Sequence, residues 1–255
     1  MLSVEDLKDV AKIKGIRNLG YAEKDYLLEL ALLFISRNTK RELVFKGGTA
    51  LYKFYRLDRF SEDIDFSMVE ELDVESMLDK VTTGLNSFGI EAEMKTKYQS
   101  HNTVMASIRA KGPLYTGSNQ TLSKIEIDIN LKSKTDLPPK VANYSPLYPD
   151  IPSYTIQVMK EEEILAEKIR AIMTRDKPRD IYDLWFLMNK GVSIDIKLAG
   201  KKMEYYGEKW DQKTFEKKLE IKEQTWKIEL KALIDNVPEL TEVRETIMGR
   251  ITAQQ

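Results

Sequence analysis

The stretch that decides the fold is Lys46-Gly47-Gly48-Thr49, followed by Arg59-Phe60-Ser61-Glu62-Asp63-Ile64-Asp65-Phe66. The two glycines come after the short apolar run Leu43-Val44-Phe45 and before a predicted helix, so the backbone can approach and bind a phosphate. Asp63 and Asp65 alternate with apolar residues, which places both carboxylates on one side of a predicted strand. Adjacent like charges favour a cation between them. A phosphate-binding turn together with metal-binding carboxylates is typical of nucleotidyl transfer.

Each half of this pattern also has a simpler interpretation. A Gly-Gly pair alone is most often an ordinary strand-to-helix turn, although the hydroxyl of Thr49 could add a hydrogen bond to a phosphate. Two acids alone could be solvated side chains on an edge strand. Ile64 and Phe66 face the other way and have core character, which predicts an anchored strand. The two halves together favour the catalytic interpretation.

A third carboxylate is predicted from the run Lys124-Ile125-Glu126-Ile127-Asp128-Ile129-Asn130-Leu131. Its apolar and polar residues alternate, so the acidic side chains share one face of a strand. If this strand lies beside residues 63–66, Asp128 is the candidate for the third metal ligand and for activating the attacking hydroxyl. Glu126 is the second choice. The alternative is an ordinary half-buried strand.

The densest basic stretch of the chain lies between residues 168 and 179. Lys168 occurs at helical spacing among Ile164, Leu165 and Ile169, and it could reach a triphosphate. The alternative is a solvated helix face. The basic residues suit the phosphates of a nucleotide or an RNA. Asp180 and Asp183 follow, one helical turn apart.

Composition limits the class of protein. The chain has 255 residues, of which 42% are hydrophobic and 32% charged, and this balance is typical of a globular protein. It has no cysteine, which excludes disulfides and thiolate zinc sites. The net charge of −1 means that a nucleic acid must be bound through a local basic patch. We find no apolar run of about 18 residues and no signal peptide, so we expect a cytoplasmic protein with no membrane partner.

The pattern of elements predicts an α+β fold in two domains, at residues 1–152 and 153–255. The first mixes helices and strands, and the second is mainly helical and completes the active-site cleft. The five prolines between Lys134 and Pro152 predict a linker or long loop. We predict strands at 43–45, 63–68, 90–98, 102–110, 123–132 and 154–159, and helices at 23–37, 49–55, 73–86, 160–174, 179–189, 195–206, 212–236 and 239–253.

These motifs resemble the AbiEii family of nucleotidyltransferase toxins, which belongs to the DNA polymerase β-like nucleotidyltransferase superfamily. The similarity is carried by Gly47-Gly48-Thr49-Ala50-Leu51-Tyr52-Lys53 and by the run from Arg59 to Phe66. Two later segments, Glu167-Lys168 and Arg179-Asp180-Ile181-Tyr182-Asp183-Leu184, match the later family motifs in order. The resemblance covers roughly residues 20–190. It implies a polymerase β-like domain, with a mixed sheet flanked by helices, followed by a mainly helical domain.

The resemblance also implies roles for individual residues. Asp63 and Asp65 would hold Mg²⁺, and Asp128 is added to them from the strand pattern. Asp180 would position Lys168, which assists at the triphosphate. The nucleotide phosphates would be bound by Gly47, Gly48, Thr49 and Ser61.

The activity implied is transfer of a nucleoside monophosphate from an NTP to an acceptor, with release of pyrophosphate. The acceptor expected is the 3′ end of tRNA, and the expected setting is a toxin–antitoxin system of phage defence with an antitoxin encoded nearby. Two alternatives stay open: nucleotidylation of a protein side chain, and a non-catalytic nucleotide-binding regulator. No apolar seam indicates a dimer, so we expect a monomer.

Overall fold

A seven-stranded sheet organises the first half of the chain in the computed structural model, which describes residues 1–221 and 223–253. The strands are β1 (Leu43–Lys46), β2 (Asp63–Met68), β3 (Glu91–Gln99), β4 (Thr103–Lys111), β5 (Ser123–Asn130), β6 (Lys140–Tyr144) and β7 (Tyr154–Val158). Their order is β3-β4-β5-β2-β1-β7-β6. The β2–β5 and β1–β7 pairs are parallel and the other pairs antiparallel, so the expected mixed sheet is confirmed.

The sheet has an apolar inner face and a polar outer face because its central strands alternate. On β2 and β5 the inner side chains are Ile64, Phe66, Ile125, Ile127 and Ile129, none of them more than 2% exposed. Their neighbours along each strand must point the opposite way. This alternation brings the acidic residues of both strands to the outer face.

Three helices belong to the same compact unit as the sheet. They are α1 (Val4–Lys14), α2 (Leu19–Asn38) and α4 (Val74–Ser87). The helix α2 packs on β5, β7 and α4 and is buried over most of its length. Its buried carboxylates are satisfied: Glu29, for example, accepts hydrogen bonds from the hydroxyls of Tyr144 and Tyr154. A buried acid with such partners is tolerated in a helix core.

The second compact unit is mainly helical. The chain enters it within α3 (Gly47–Tyr55), whose first three residues belong to the sheet unit. The later helices are α5 (Glu161–Thr174), α6 (Pro178–Asn189), α7 (Ile196–Glu204), α8 (Gln212–Ile221), α9 (Glu223–Lys231) and α10 (Leu240–Thr252). The helix α5 packs on α6, α7 and α8, while α6 also packs on α9 and α10.

Short pieces of chain join this second unit in addition to everything from Met159 onward. They are Ala50–Ser61 and Thr135–Pro138. The buried carboxylate of Glu163 on α5 accepts hydrogen bonds from the backbone N–H groups of Asp136 and Leu137, at 2.6 and 3.1 Å. The units are therefore not two consecutive ranges of the sequence. The partition at residue 152 remains a prediction about folding domains.

Most predicted elements are present within a few residues of their expected ends, but the stretch from Lys134 to Pro152 needs a correction. This stretch contains the strand β6. Pro138 and Pro139 precede the strand and Pro146 follows it, so no proline interrupts its hydrogen bonding. The helix expected over 212–236 appears as α8 and α9, and Lys222 lies outside the described residues. The helix α1 was not predicted.

None of the helices in the described parts of the chain combines the length and the apolar character needed to cross a membrane.

Candidate active site

Four acidic residues lie together on the outer face of the sheet. In the parallel β2–β5 pair, Asp63 is opposite Glu126 and Asp65 is opposite Asp128. Partners on neighbouring strands are about 4.8 Å apart and point to the same side of the sheet. The condition set for Asp128, that its strand lies beside residues 63–66, is therefore met. We call Asp63, Asp65, Glu126 and Asp128 the carboxylate face.

Hydroxyl groups of the next strand hold two of these carboxylates. Thr103 Oγ1 donates a hydrogen bond to Asp128 Oδ1 at 2.6 Å, and Ser107 Oγ donates to Glu126 Oε1 at 3.0 Å. Both donors lie on β4, opposite Asn130 and Glu126 in the register. A hydrogen bond to a carboxylate oxygen fixes the orientation of that carboxylate. β4 thus supports the carboxylate face from one side.

On the other side, Asp65 touches the first residue of α3. Gly47 has φ of +76°, and a Cβ atom built there would lie 2.3 Å from Asp65 Oδ2. Only glycine can combine this backbone angle with such close approach. Thr49 Oγ1 donates to the backbone carbonyl of Asp63 at 2.5 Å, and Thr49 is fully buried. The beginning of α3 is therefore tied to both aspartate positions of β2.

Lys24, on α2, brings a positive charge to the edge of the carboxylate face. Its ammonium group donates a hydrogen bond to the backbone carbonyl of Lys124, at the beginning of β5. Burial lowers the pKa of Lys24, while the nearby carboxylates of Asp63, Glu62 and Glu126 act in the opposite direction. Lys24 was not predicted as a site residue. The sequence feature that could have identified it is a single lysine within a mostly apolar helix.

The carboxylate face fits a hard divalent cation by its chemistry, since its donors are oxygen atoms. Within residues 1–221 and 223–253, no group of three or more His, Asp or Glu side chains is arranged to hold a metal ion by itself. Mg²⁺ commonly binds through one or two carboxylates and completes its coordination with water and substrate phosphates. Asp63 and Asp65 fit that requirement. A ligand role for Asp128 stays a prediction.

The second unit contains a buried network of opposite charges around Lys168. The Lys168 ammonium lies 2.7 Å from Asp180 Oδ1 and 2.7 Å from Asp183 Oδ2. Arg175 Nε also donates to Asp180 Oδ2 at 2.8 Å. Burial alone would raise the pKa of Asp180, but Lys168 and Arg175 together hold it below its usual value. The expected partnership of Asp180 with Lys168 is present in this geometry.

Asp183 extends the network to Arg59. Arg59 donates from Nε and Nη2 to the two oxygens of Asp183, at 2.6 and 2.7 Å, and from Nη1 to the carbonyl of Phe60 at 2.9 Å. Burial would raise the pKa of Asp183, whereas Arg59 and Lys168 lower it. We call Arg59, Lys168, Arg175, Asp180 and Asp183 the ion network. The bidentate pair was not predicted, although the spacing of Asp180 and Asp183 indicated a shared helix face.

Gly48 and Ser61 are the remaining predicted site residues. Gly48 is the second residue of α3, and Ser61 lies in the second unit just before β2. The structure thus brings Asp63, Asp65 and Asp128 together with Gly47 and Thr49, and separately brings Lys168 together with Asp180. The nucleotide-binding and metal-binding roles of all these residues remain predictions.

Solved structures share this fold. JHP933 from Helicobacter pylori aligns with a TM-score of 0.58 and 21% identity, over 100% of this chain and 92% of its own. MenT4, a nucleotidyltransferase toxin from Mycobacterium tuberculosis H37Rv, aligns with a TM-score of 0.68 and 20% identity, over 96% of this chain and 87% of its own. No curated protein matches the chain. The fold is therefore one that nucleotidyltransferase toxins adopt.

The family model described as nucleotidyl transferase AbiEii toxin, type IV toxin–antitoxin system, matches residues 32–248. The chain belongs to this family, and it is a nucleotidyltransferase toxin of the type IV toxin–antitoxin class. An antitoxin partner and a nucleotide substrate follow from this membership. The resemblance inferred from the sequence motifs is confirmed.

Proposed function

We propose that the chain transfers a nucleoside monophosphate from an NTP to the 3′ end of an RNA, with tRNA as the acceptor, and that it requires Mg²⁺. The observation that carries this proposal is the contact between Gly47, at the beginning of α3, and the Asp65 carboxylate, with Asp63 tied to the same turn through Thr49. A phosphate bound at the N-terminal amides of α3 would lie beside the carboxylates that bind its counter-ion.

The proposed division of labour follows the two groups of residues. Asp63 and Asp65 hold Mg²⁺, with Asp128 as a third ligand. When bound, the metal supplies positive charge to the triphosphate and to the developing charge at the reacting phosphorus. The amides of Gly47 and Gly48, together with Thr49 and Ser61, bind phosphate oxygens. Lys168, positioned by Asp180, contributes a further positive charge to the triphosphate.

The reaction forms one bond and breaks one. The oxygen of the acceptor 3′ hydroxyl bonds to the α-phosphorus, and the bond from that phosphorus to the α–β bridging oxygen breaks. Pyrophosphate leaves with that oxygen, and the hydroxyl proton passes to a carboxylate, for which we propose Asp128. Because the attacking and leaving oxygens need only alignment and charge stabilisation, the protein acts mainly by positioning its reactants.

The proposed biological setting extends the family assignment. As a cytoplasmic toxin, the chain would block translation by modifying the acceptor end of tRNA, and it would do so during phage infection. A neighbouring gene would encode the antitoxin that restrains it.

The test is incubation of the purified chain with each of the four α-³²P-labelled NTPs, total RNA and Mg²⁺, with parallel reactions in EDTA. We expect a labelled tRNA-sized band, dependent on Mg²⁺, for at least one NTP. In Asp63→Asn the rate should fall by ~1,000-fold or more, because a metal ligand is lost. The exposed Glu239→Gln serves as the matched acidic control and should keep full activity.

Each alternative has its own outcome in this assay. Label on a protein in parallel reactions with lysate protein fractions, and no label on RNA, would replace tRNA by a protein acceptor. Full activity of Asp63→Asn, with its melting temperature unchanged, would remove the metal assignment. Activity that persists in EDTA would contradict the Mg²⁺ requirement while leaving the transfer reaction in place.

A further inference from the structure

The outer face of the sheet continues beyond the carboxylates to an exposed apolar pair. In register, Asp65 of β2 is opposite Asp128 of β5, Asp128 is opposite Met105 of β4, and Met105 is opposite Tyr98 of β3. These side chains therefore form one row that runs across four strands on the same face. At about 4.8 Å per strand, Met105 is one strand and Tyr98 two strands away from Asp128.

Both apolar members of this row are open to solvent. Tyr98 is 57% exposed and Met105 is 49% exposed. Within the described residues, the Tyr98 ring contacts no other ring and its hydroxyl makes no hydrogen bond. Single exposed apolar residues need no explanation, but two that are opposite each other on neighbouring strands, in the same row as Asp128, form one exposed apolar surface. We call Tyr98 and Met105 the apolar pair.

Cations lie on the same face, further along the strands. Arg109 of β4 is opposite Lys124 of β5, four residues beyond Met105 and Asp128 respectively. At about 3.3 Å per residue they are roughly 13 Å from the row that contains the apolar pair. Neither side chain makes a hydrogen bond or ion pair with the part of the chain that the structure describes. They are available to bind phosphates.

We propose that the apolar pair stacks the terminal bases of the single-stranded acceptor RNA, while Arg109 and Lys124 contact its phosphates. This inference rests on the proposed function, because the 3′ hydroxyl of that strand must reach the carboxylate face. Aromatic side chains stack any base, and basic residues follow the backbone, so the combination suits a short single strand. The proposed acceptor site thus continues the row of side chains that contains Asp65 and Asp128.

The size of the apolar pair favours a nucleic acid over a protein partner. A stable protein interface buries about 800 Å² on each side around an apolar core, and two side chains bordered by charged and polar residues do not provide that. A base needs only one flat face to stack on, and a strand stacked there can extend over the same face of the sheet towards Arg109 and Lys124.

The first test compares steady-state kinetics of the wild type, Tyr98→Ala and the double variant Tyr98→Ala/Met105→Ala. We expect the KM for the RNA acceptor to rise roughly 5- to 100-fold, which is the range for loss of one stacked base. The KM for the NTP should stay unchanged. Tyr98→Phe should restore acceptor binding, because it keeps the ring. Val141→Ala, at an exposed position of the opposite edge strand β6, is the control and should have no effect.

The second test measures binding without catalysis. Fluorescence anisotropy with a labelled single-stranded RNA that ends in a 3′-deoxynucleotide should give a weaker Kd for Tyr98→Ala. The slope of log Kd against log salt should fall by about one unit in Arg109→Gln. Circular dichroism spectra and melting temperatures of the variants show that they are folded.

The outcomes separate this inference from the proposed function. Transfer to RNA with an acceptor KM and a Kd that do not depend on Tyr98 would overturn the inference and leave the function in place. Tyr98-dependent RNA binding by a chain that transfers no label to RNA would support the RNA surface and overturn the proposed reaction. Tyr98-dependent capture of a purified antitoxin, without any effect on RNA binding, would overturn the inference in favour of a protein surface.

Discussion

The carboxylate face and the ion network use the same kinds of side chain in opposite ways. On the carboxylate face, Asp63, Asp65, Glu126 and Asp128 are neighbours on adjacent strands, half-buried, with like charges side by side. In the ion network, the buried carboxylates of Asp180 and Asp183 lie between the buried cations of Arg59 and Lys168, and the half-exposed Arg175 also pairs with Asp180. The first arrangement places like charges opposite each other, whereas the second places each carboxylate beside at least two cations.

This difference distinguishes the proposed metal site from a network of paired charges. Like charges placed opposite each other in a sheet are destabilising, and a ligand that neutralises them gains affinity from that repulsion. Paired charges taken out of water repay their desolvation only with excellent geometry, and removing one partner leaves the other uncompensated. Substitutions on the carboxylate face should therefore affect activity, and loss of one partner in the buried Arg59–Asp183 pair should affect stability.

The largest expected effect on stability is that of Asp183→Asn. It leaves the guanidinium of Arg59, only 1% exposed, without its bidentate partner. We expect the free energy of unfolding to fall by about 3–5 kcal/mol, measured by urea denaturation. The control is Glu239→Gln, which breaks the exposed Lys227–Glu239 pair and should cost less than about 1 kcal/mol. Equal, small losses would show that the ion network does not hold the second unit together.

The second effect concerns the turn beside Asp65. Gly47→Ala places a methyl group against the Asp65 carboxylate and forces a positive φ on alanine. We expect a loss of about 1–2 kcal/mol in stability and at least ~100-fold in transfer rate, because a displaced carboxylate misaligns the reactants.

Gly191→Ala is the matched control for this substitution. Gly191 has φ of +87°, but a Cβ atom there would meet nothing within 4 Å. Gly191→Ala should lose a similar amount of stability from the positive φ of alanine and keep full transfer activity. If both variants lose activity equally, the effect of Gly47→Ala is due to stability and not to the contact with Asp65.

The sequence was most informative where one pattern carried both structure and chemistry. The β2 strand was predicted with the ends that the structure has, because Asp-Ile-Asp-Phe alternates cleanly and is bounded by polar residues. The strand with Asp128 was predicted for the same reason. Their adjacency could be stated only as a condition, since alternation fixes the face of a strand and does not identify its neighbour.

Contacts between distant parts of the chain were beyond sequence reasoning. Arg59 and Asp183 are 124 residues apart and meet only because the segment containing Arg59 packs with α6 in the second unit. The support of Asp128 by Thr103 depends on the register between β4 and β5, which no local pattern specifies. The strand β6 was not predicted because prolines flank it on both sides in the sequence.

The third prediction uses the pH dependence of stability. The folded pKa values of Asp180 and Asp183 lie below their ordinary values, so the folded state binds fewer protons than the unfolded state in acid. Their contribution is fully present above the unfolded pKa of about 3.9 and is lost as pH falls from there towards the folded values. Each group adds a slope of at most about 1.4 kcal/mol per pH unit.

Urea denaturation of the wild type and Asp183→Asn between pH 6 and pH 3 measures this slope. We expect the wild-type curve to fall more steeply below about pH 4, because the variant has lost one of the titrating groups. Parallel curves over the whole range would contradict the assignment of acid sensitivity to the ion network.

The smallest expected effect decides which acid of β5 supports the metal. Thr103→Val removes the hydroxyl that holds Asp128, and Ser107→Ala removes the one that holds Glu126. Each should cost about 1 kcal/mol in stability, since each loses one hydrogen bond.

If Asp128 is the third ligand, Thr103→Val should raise the Mg²⁺ concentration for half-maximal transfer by about 10-fold, as loss of a ligand-orienting partner does. Ser107→Ala should leave it unchanged, and Thr103→Ser should restore it. The reverse pattern would transfer the role to Glu126, the second choice from the sequence, because each hydroxyl orients a different carboxylate of β5.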